Sequence, residues 1–510
     1  MRSDGWAAAG GAALLALAAG PAFAADRPAR SGDASLRAEV DQLQSEVTAL
    51  QGELEALRAQ LATRTAPATP AAPPPAPIAV APSPERAEPR VVLNEAHRFA
   101  LQSADGEYAI GLTGDLQFDS GAYLDFHPAS TSVGSQALSS GFNARRVRIG
   151  VAGTAFGSWS YAVVYDAGNA SDQTAKGLET AQIVYGGLPG AAFEIGYSNT
   201  FFTLDQATSS NDGLFLERAT PSDIATSFNA GDARANVGAR FFGDRYWIGA
   251  YLTGPAIGDS HTLGAERIGA FQRAAFQALS GPGYSLHLGV GVDELFQAPN
   301  LGAGAANSIT LGAAPELRID PTALLGAGPI GTLANPVDGA LVIDLESAAT
   351  WNSLFWQGEY YRYRVDRRGL PSADFDGGYG EVSWTLTGEA HPYNRQAGAY
   401  YRIAPARPFS LEHGGWGAWE LAARISYADL TSGFVAGEAL SANPGAVDGG
   451  RQTAVTLGLN WYPDDFVRFL VDYNHVDVAK ANGAAVKGAP LGAPVGASFD
   501  ALSLRAQVAF

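Results

Sequence analysis

The sequence predicts an all-β fold, an antiparallel transmembrane β-barrel of about 16 strands, preceded by an N-terminal coiled-coil helix and a Pro/Ala-rich linker. Three observations support it: hydrophobicity alternates with period two, tight turns alternate with long loops, and the final alternating segment ends in Phe510. After residue 25 no run of 18 or more apolar residues occurs, which argues against membrane-spanning helices. A closed barrel is the remaining way to satisfy the backbone inside a bilayer.

The first 24 residues have the layout of a secretory signal peptide. Arg2 begins a short leading region, an apolar stretch covers residues 6–19, and residues 22–24 read Ala-Phe-Ala, which fits an A-x-A cleavage site. A permanent anchor helix is the alternative, but it needs a longer apolar run. We therefore expect a signal peptide at residues 1–24 and export from the cytoplasm.

Residues 34–63 carry an unbroken heptad pattern. Apolar residues recur at spacings of four and three, at Leu36, Val40, Leu43, Val47, Leu50, Leu54, Leu57 and Leu61. This is the seam of a coiled coil, and polar flanks favour self-association over a helix that packs on its own domain. Val and Leu at these positions leave the number of helices open. Residues 64–97 are rich in Pro and Ala, which predicts an extended flexible spacer.

Residues 98–510 form the predicted barrel domain. In one clear segment the apolar face is Trp419, Leu421, Ala423, Ile425 and Tyr427, and the other face is Glu420, Ala422, Arg424, Ser426 and Ala428. A soluble β-sandwich also alternates, so the connections matter. Tight turns are predicted at 156–159, 187–190 and 462–465, and long loops at 127–141, 198–230, 294–337 and 431–449. Aromatic girdles are predicted from Trp351, Trp356, Tyr360, Tyr361, Trp416 and Trp419.

Composition excludes several classes of function. The formal net charge of −18 argues against nucleic acid as a partner, and the absence of cysteine excludes disulfides and thiolate metal sites. The seven histidines are scattered, and we find no hydrolase elbow, P-loop or dinucleotide fingerprint in a strand-turn-helix context. We therefore predict neither enzymatic activity nor a cofactor; a Ser-His pair assembled across strands is the remaining catalytic alternative.

Six short segments occur in the order typical of one family. They are residues 142–149, 207–210, 216–218, 385–389, 417–421 and 460–462. Together they resemble the phosphate-selective porin O and P family. The resemblance implies a homotrimer of 16-stranded barrels in the outer membrane of a Gram-negative bacterium, in contact with lipid and lipopolysaccharide, with the third long loop folded inward as a constriction. The coiled coil would then lie in the periplasm.

The same resemblance suggests an anion pathway. In phosphate-specific members an arginine ladder and a lysine-rich centre carry anions, and Arg145, Arg146 and Arg218 match ladder positions. Ser209 matches a serine of the constriction loop, and Glu179 matches an acidic residue of the central site. This chain departs from the pattern at three further positions: Asp115 stands where those members have arginine, and Gln206 and Asn211 stand where they have lysine.

The departures reduce the positive charge of the predicted pathway. Residues 91–510 carry 25 Lys and Arg against 41 Asp and Glu. Selectivity follows the charges at the narrowest point of a pore, and three cations are missing there. We therefore expect a passive, weakly selective pore for small hydrophilic solutes and ions, including small anions such as phosphate. The alternative is a structural anchor that tethers the envelope through its coiled coil.

The individual arginines also have structural interpretations. Because Val147, Ile149 and Val151 form the apolar face of one strand, Arg146 and Arg148 should point inward and Arg145 should lie near a rim. Pairing with lumen acids such as Asp166 and Glu179 is the alternative to a transport role. For Arg218 the alternative is a salt bridge that anchors the loop. Arg362, Arg364, Arg367 and Arg368 form the densest basic cluster, with Arg362 and Arg364 on one strand face, and we expect a solvated loop base or a lipopolysaccharide contact there rather than a filter.

Overall fold

The computed structural model describes residues 90–93, 99–128, 138–168, 177–228, 231–257, 264–300, 302–483 and 490–510, together with residues 49 and 52. The predicted signal peptide, nearly all of the coiled coil and most of the linker lie outside these residues, so those predictions stay untested. Among the described helices none is both long and apolar enough to cross a bilayer.

Sixteen antiparallel strands form a closed barrel. Each strand pairs with its neighbour along the chain, and the last pairs with the first, with Leu504 opposite Ser120. The barrel strands are β3 (Ala109–Pro128), β4 (Gly141–Ala155), β5 (Trp159–Asp166), β6 (Gly177–Tyr185), β7 (Ala191–Asn199), β8 (Ala233–Phe242), β9 (Tyr246–Thr253), β10 (Ile268–Gly281), β11 (Tyr284–Gln297), β14 (Val337–Trp351), β15 (Leu354–Arg367), β16 (Ala373–Thr385), β19 (Ala418–Ser432), β20 (Val447–Tyr462), β21 (Val467–Ala479) and β22 (Ala497–Ala509). The predicted fold class and strand number are confirmed.

Shorter elements complete the described residues. A hairpin of β1 (Arg90–Leu93) and β2 (Phe99–Gln102) pairs with the beginning of β3. The pair β12 (Ile309–Ala313) and β13 (Leu325–Ile330) lies between β11 and β14, and the pair β17 (Tyr393–Asn394) and β18 (Ala399–Tyr400) lies between β16 and β19. Two short helices, α1 (Leu204–Ala207) and α2 (Thr220–Ser227), follow β7, and a 3₁₀ turn spans Leu440–Ala442.

The two faces of the barrel wall differ as the period-two pattern predicts. On the outer face Ile425 is 58% exposed and Leu457 is 52% exposed, whereas the inward Glu420 is fully buried. Exposed apolar side chains face the bilayer, and polar side chains face the lumen. Aromatic residues border the apolar band, but Tyr361 does not belong to the predicted girdle. It follows Tyr360 in β15, so its side chain points to the other face and is fully buried.

Most short connections lie at one end of the barrel, which we call the turn end, and the long loops lie at the other, which we call the loop end. The predicted tight turns and the four predicted long loops all lie at their expected positions between strands. The third loop (residues 200–232) and the fifth loop (298–336) belong to the loop end. One connection at the turn end differs: the long turn (residues 386–417) was not predicted, and it spans 32 residues between β16 and β19.

Apolar packing holds the two inserted loops together inside the barrel. Ile224 of α2 and Leu311 of β12 are fully buried in one cluster with Tyr363 and Val365 of the wall. This cluster also contains Phe228, which stacks on Tyr363 at a ring-centroid distance of 5.3 Å. The third and fifth loops therefore fold back into the lumen and share a core there.

The bilayer-facing surface gives a first test of the fold. We expect Leu457→Arg, in the middle of the outer face of β20, to destabilise the barrel by about 2–4 kcal/mol. The control Thr453→Arg lies on the same face of the same strand but nearer the loop end, where we expect a cost of about 0–1 kcal/mol. The measurement is urea unfolding of the refolded protein in lipid vesicles. Equal costs for the two variants would contradict the assigned bilayer-facing band.

Candidate functional site: the constriction inside the barrel

The third loop begins its path across the lumen at α1. The Thr203 side chain accepts a hydrogen bond from the Gln206 backbone N–H at 3.0 Å and so caps the helix. The backbone N–H groups of Leu204 and Asp205 donate to the Glu359 carboxylate of β15 at 2.7 and 3.1 Å. A carboxylate at a helix N-terminus satisfies donors that have no partner within the helix. The wall thereby fixes the start of the loop.

Glu217 is the central anchor of the third loop. Its carboxylate receives two hydrogen bonds from Arg145 of β4, at 2.6 and 2.9 Å, and one from Arg505 of β22 at 3.1 Å. Arg318 of the fifth loop lies 3.4 Å away. Burial alone would raise the pKa of Glu217, but these three guanidinium groups hold it well below its ordinary value. The loop is therefore held by a side chain that is ionised at neutral pH.

The prediction that Arg145 lies near a rim was wrong. In the β3–β4 pairing Gln117 lies opposite Arg146 and Phe118 lies opposite Ala144, which leaves Arg145 unmatched in a β-bulge. A bulge interrupts the alternation of faces, so neighbouring residues can point the same way. Both Arg145 and Arg146 are buried on the lumen side, at 1% and 4% exposure. The sequence pattern contains no signal that marks this bulge.

Arg146, the other matched ladder position on the wall, and Arg148, which was predicted to point inward beside it, are both engaged with polar partners. Arg146 donates to the Gln117 side chain at 2.7 Å. Arg148 forms ion pairs with Asp166 at 2.9 Å and with Glu179 at 2.8 Å. Glu179 therefore lies in the lumen as a partner of Arg148. This arrangement is the structural alternative considered for the wall arginines, in which paired charges stiffen the wall.

A small cavity brings three of the predicted site residues together. It has a volume of about 30 Å³, comparable to the space of one water molecule, and Arg146, Ser209 and Arg218 are among its lining residues. Arg218 pairs with Asp205 at 3.2 Å and also donates to the Asp205 backbone carbonyl. Glu381 of β16 also lines the cavity. Cationic and anionic groups thus face each other across a narrow space.

The three departures from the family pattern lie at defined contacts. The Asn211 amide nitrogen, turned toward Asp115, lies 2.8 and 2.9 Å from the two oxygens of that carboxylate. Two of the exchanged positions are therefore direct neighbours in space. The third, Gln206, donates its side-chain amide to Asp232 at 3.0 Å. Where the resemblance implies arginine and lysine side by side, this chain has a carboxylate and an amide.

The long turn enters the lumen from the opposite end. The carbonyl groups of Ala397 and Gly398 accept hydrogen bonds from Arg273 of β10 at 2.9 and 2.7 Å, and Gln396 accepts one from Trp247. Arg402 of the long turn donates to the Asn211 backbone carbonyl at 3.3 Å. The long turn and the third loop therefore meet inside the barrel. The unusual length of residues 386–417 was the signal that could have revealed it.

One part of the barrel wall is less covered by these segments. The inward side chains of Thr154, Gln182 and Asn236, on β4, β6 and β8, are half-buried. On the opposite part of the wall, inward residues such as Asn460 and Tyr462 are buried against the inserted loops. The inserted segments therefore cover these three polar side chains less completely than the opposite wall.

The basic cluster at residues 362–368 does not belong to the lumen as a group. Arg362 and Arg364 share the outer face of β15, with side chains 47% and 52% exposed. Arg367 is buried and donates to the carbonyl groups of Pro371 and Gly445. The expected shared face of Arg362 and Arg364 is confirmed, and it is the face that meets lipid.

A closed barrel with an apolar outer band, a charged lumen and an inward constriction loop defines a membrane pore of the porin class. The comparison with known families agrees: residues 116–510 match the family described as phosphate-selective porin O and P, and the chain belongs to that family. Membership places it in the outer membrane of a Gram-negative bacterium.

Individual relatives are similar over most of their length. The chain is 23% identical to porin O of Pseudomonas aeruginosa over 396 residues, which cover 75% of this chain and 86% of that protein. It is 28% identical to a protein of Caulobacter vibrioides over 392 residues, covering 74% of this chain and 70% of the other. Among solved structures, OmpT of Vibrio cholerae aligns with a TM-score of 0.47 at 13% identity, covering 79% of this chain and 98% of OmpT. An anion-selective porin from Comamonas acidovorans aligns with a TM-score of 0.45 at 12% identity, covering 79% and 100%.

The Glu217 anchor gives a test of the constriction. We expect Glu217→Gln to destabilise the protein by about 3–5 kcal/mol, because it removes a buried counter-charge that three guanidinium groups share. The control Glu438→Gln removes one negative charge from an exposed position in a loop and should be neutral. Unfolding in lipid vesicles measures the cost. Equal stability of Glu217→Gln and the wild type would show that the third loop is held by other contacts.

Proposed function

We propose that this protein is a passive porin for small hydrophilic solutes and ions, with weak selectivity. The observation that carries the proposal is the set of half-buried polar side chains on β4, β6 and β8 beside the inserted loops, within a closed barrel of a porin family. Water and small solutes need a polar path, and we place it along these side chains, where the inserted segments cover the wall less completely than on the opposite side. No catalytic residue is needed for such transport.

Weak selectivity follows from how the lumen charges are arranged. Arg145, Arg148 and Arg218 each have a carboxylate partner at 3.2 Å or less, so their fields act first on protein groups. A free anion must compete with those partners. At the position of Asn211 the chain presents an amide next to the carboxylate of Asp115. This pair offers no cation to replace the hydration shell of phosphate.

The proposal includes an assembly and a topology. We propose a homotrimer, as the family resemblance implies, and one solved structure of OmpT is described as a trimer form. The signal peptide at residues 1–24 would direct export, and the coiled coil at residues 34–63 would lie in the periplasm beyond the linker. The outer face, including Arg362 and Arg364, would contact lipid and lipopolysaccharide.

Conductance in planar bilayers tests the pore. We expect purified full-length protein to insert in discrete current steps and to show a small reversal potential in a potassium chloride gradient, because paired charges discriminate weakly. Deleting residues 26–90 should leave the conductance unchanged, because the barrel strands begin only at Ala109. Absence of current steps would contradict a porin and would favour a structural anchor.

Ion preference tests the role of the Asp115–Asn211 contact. We expect Asn211→Lys to shift the reversal potential toward chloride, because it places a cation where the amide now meets a carboxylate. Gln206→Lys should have a smaller effect, since Asp232 lies within hydrogen-bond distance of that side chain. The control Asn443→Lys adds the same charge in an exposed loop. If all three variants shift the potential equally, the constriction is elsewhere.

A further inference from the structure

Three carboxylates lie together on the wall behind the third loop. Asp344 and Glu346 share the inward face of β14, and Glu359 of β15 lies directly opposite Glu346 in the strand register. One oxygen from each of the three lies within 4.8 Å of the others. Like charges directly opposite each other destabilise a pair of strands. A cluster with this register therefore requires something that balances its charge.

The local cations do not balance it. Arg273 of β10 donates to both oxygens of Glu346, at 2.8 and 3.0 Å. Glu359 accepts hydrogen bonds from the third-loop N–H groups and, at 2.6 Å, from the Tyr379 hydroxyl, which are neutral donors. Three carboxylates and one guanidinium group leave two negative charges. All three acids are at most 5% exposed, where uncompensated charge is costly.

Two buried polar groups, one within the cluster and one beside it, point to a missing partner. Asp344 is fully buried, and neither of its carboxylate oxygens has a hydrogen-bond donor. His287 of β11 is also fully buried; its Nδ1 bonds to the Tyr393 hydroxyl, but its Nε2 lies 3.7 Å from Glu346 and has no hydrogen-bond partner. Buried polar atoms in folded proteins are almost always satisfied. The Asp344 oxygens and the Nε2 atom of His287 thus lack a hydrogen-bond partner at the same three-carboxylate cluster.

We propose that Asp344, Glu346 and Glu359 bind one divalent cation, and that calcium is the ion. Carboxylate oxygens are the ligands that calcium prefers, and its charge matches the two excess negative charges. One oxygen from each carboxylate lies within 4.8 Å of the other two, so a single ion can approach all three. Calcium accepts several carboxylate ligands in a flexible geometry, whereas magnesium demands near-ideal octahedral geometry and usually keeps several water ligands, which suits this buried cluster less well.

The site would fasten the third loop to the wall. Glu359 holds the start of α1 through two backbone hydrogen bonds, so an ion that fixes this carboxylate also fixes the helix. Asp205 of the same helix pairs with Arg218 at the small cavity. A cation at Glu359 therefore supports the constriction from behind without lying in the solute path.

Metal content of the purified full-length protein tests the proposal. We expect about one calcium ion per chain by elemental mass spectrometry after dialysis against calcium-free buffer, and loss of that ion in Asp344→Asn. The matched control is Asp472→Asn, which changes another buried lumen carboxylate that holds the third loop, through the Leu216 N–H at 2.7 Å. This control should keep its calcium. Equal calcium content in wild type and Asp344→Asn, whether one ion or none, would overturn the proposal.

A second measurement covers the case in which Asp344→Asn does not fold. For the wild type we expect the thermal unfolding temperature to fall when a calcium chelator is present during refolding and to recover with added calcium, because an ion bound only to the folded state stabilises it. An unfolding temperature that is independent of calcium would mean that Asp344 is balanced by a proton instead. Conductance is measured separately, so a failure here leaves the porin proposal intact.

Discussion

The whole architecture depends on one constraint: every backbone N–H and C=O group inside a bilayer needs a partner within the protein. Closure of β22 onto β3 removes the two free sheet edges that would violate it. Because strands alternate faces, closure also forces a polar lumen wherever the outer face is apolar. The charged interior is thus a consequence of the fold, and the inserted loops are built to satisfy that interior.

Most of the buried charged side chains in the lumen form ion pairs with one another and so stabilise the fold. Among the described residues fifteen buried side chains are acidic and nine are arginines, so arginines are the scarcer partner. Glu217 alone engages Arg145, Arg318 and Arg505. A resemblance to an anion ladder therefore identifies where arginines stand, but not whether they are available to a solute. Partners contributed by distant loops decide that, and sequence spacing does not reveal them.

The predictable features were those that repeat locally. The period-two pattern predicts the number of strands, the tight turns, and which residues of β19 and β20 point outward or inward. It does so because every strand alternates between side chains that face lipid and side chains that face the lumen. The features that the sequence did not predict depend on particular tertiary contacts or on a local irregularity of one strand. The bulge at Arg145 shifts one residue, and the inward fold of the long turn at 386–417 depends on tertiary contacts such as the hydrogen bonds that Arg273 and Trp247 donate to its carbonyl groups. The neighbourhood of Asp115 and Asn211 likewise required the folded third loop.

The backbone carbonyl of Asn211 shows how the constriction is fixed from several sides. It accepts hydrogen bonds from Arg402 of the long turn, Arg468 of β21 and Gln507 of β22, at 3.3, 3.3 and 3.1 Å. Three donors from three elements leave this backbone little freedom, so its side chain is held against Asp115. At such a rigid position the local charge depends on residue identity alone. The side chains at positions 115 and 211 therefore set the charge of this contact, while the three donors hold the backbone of residue 211 in place.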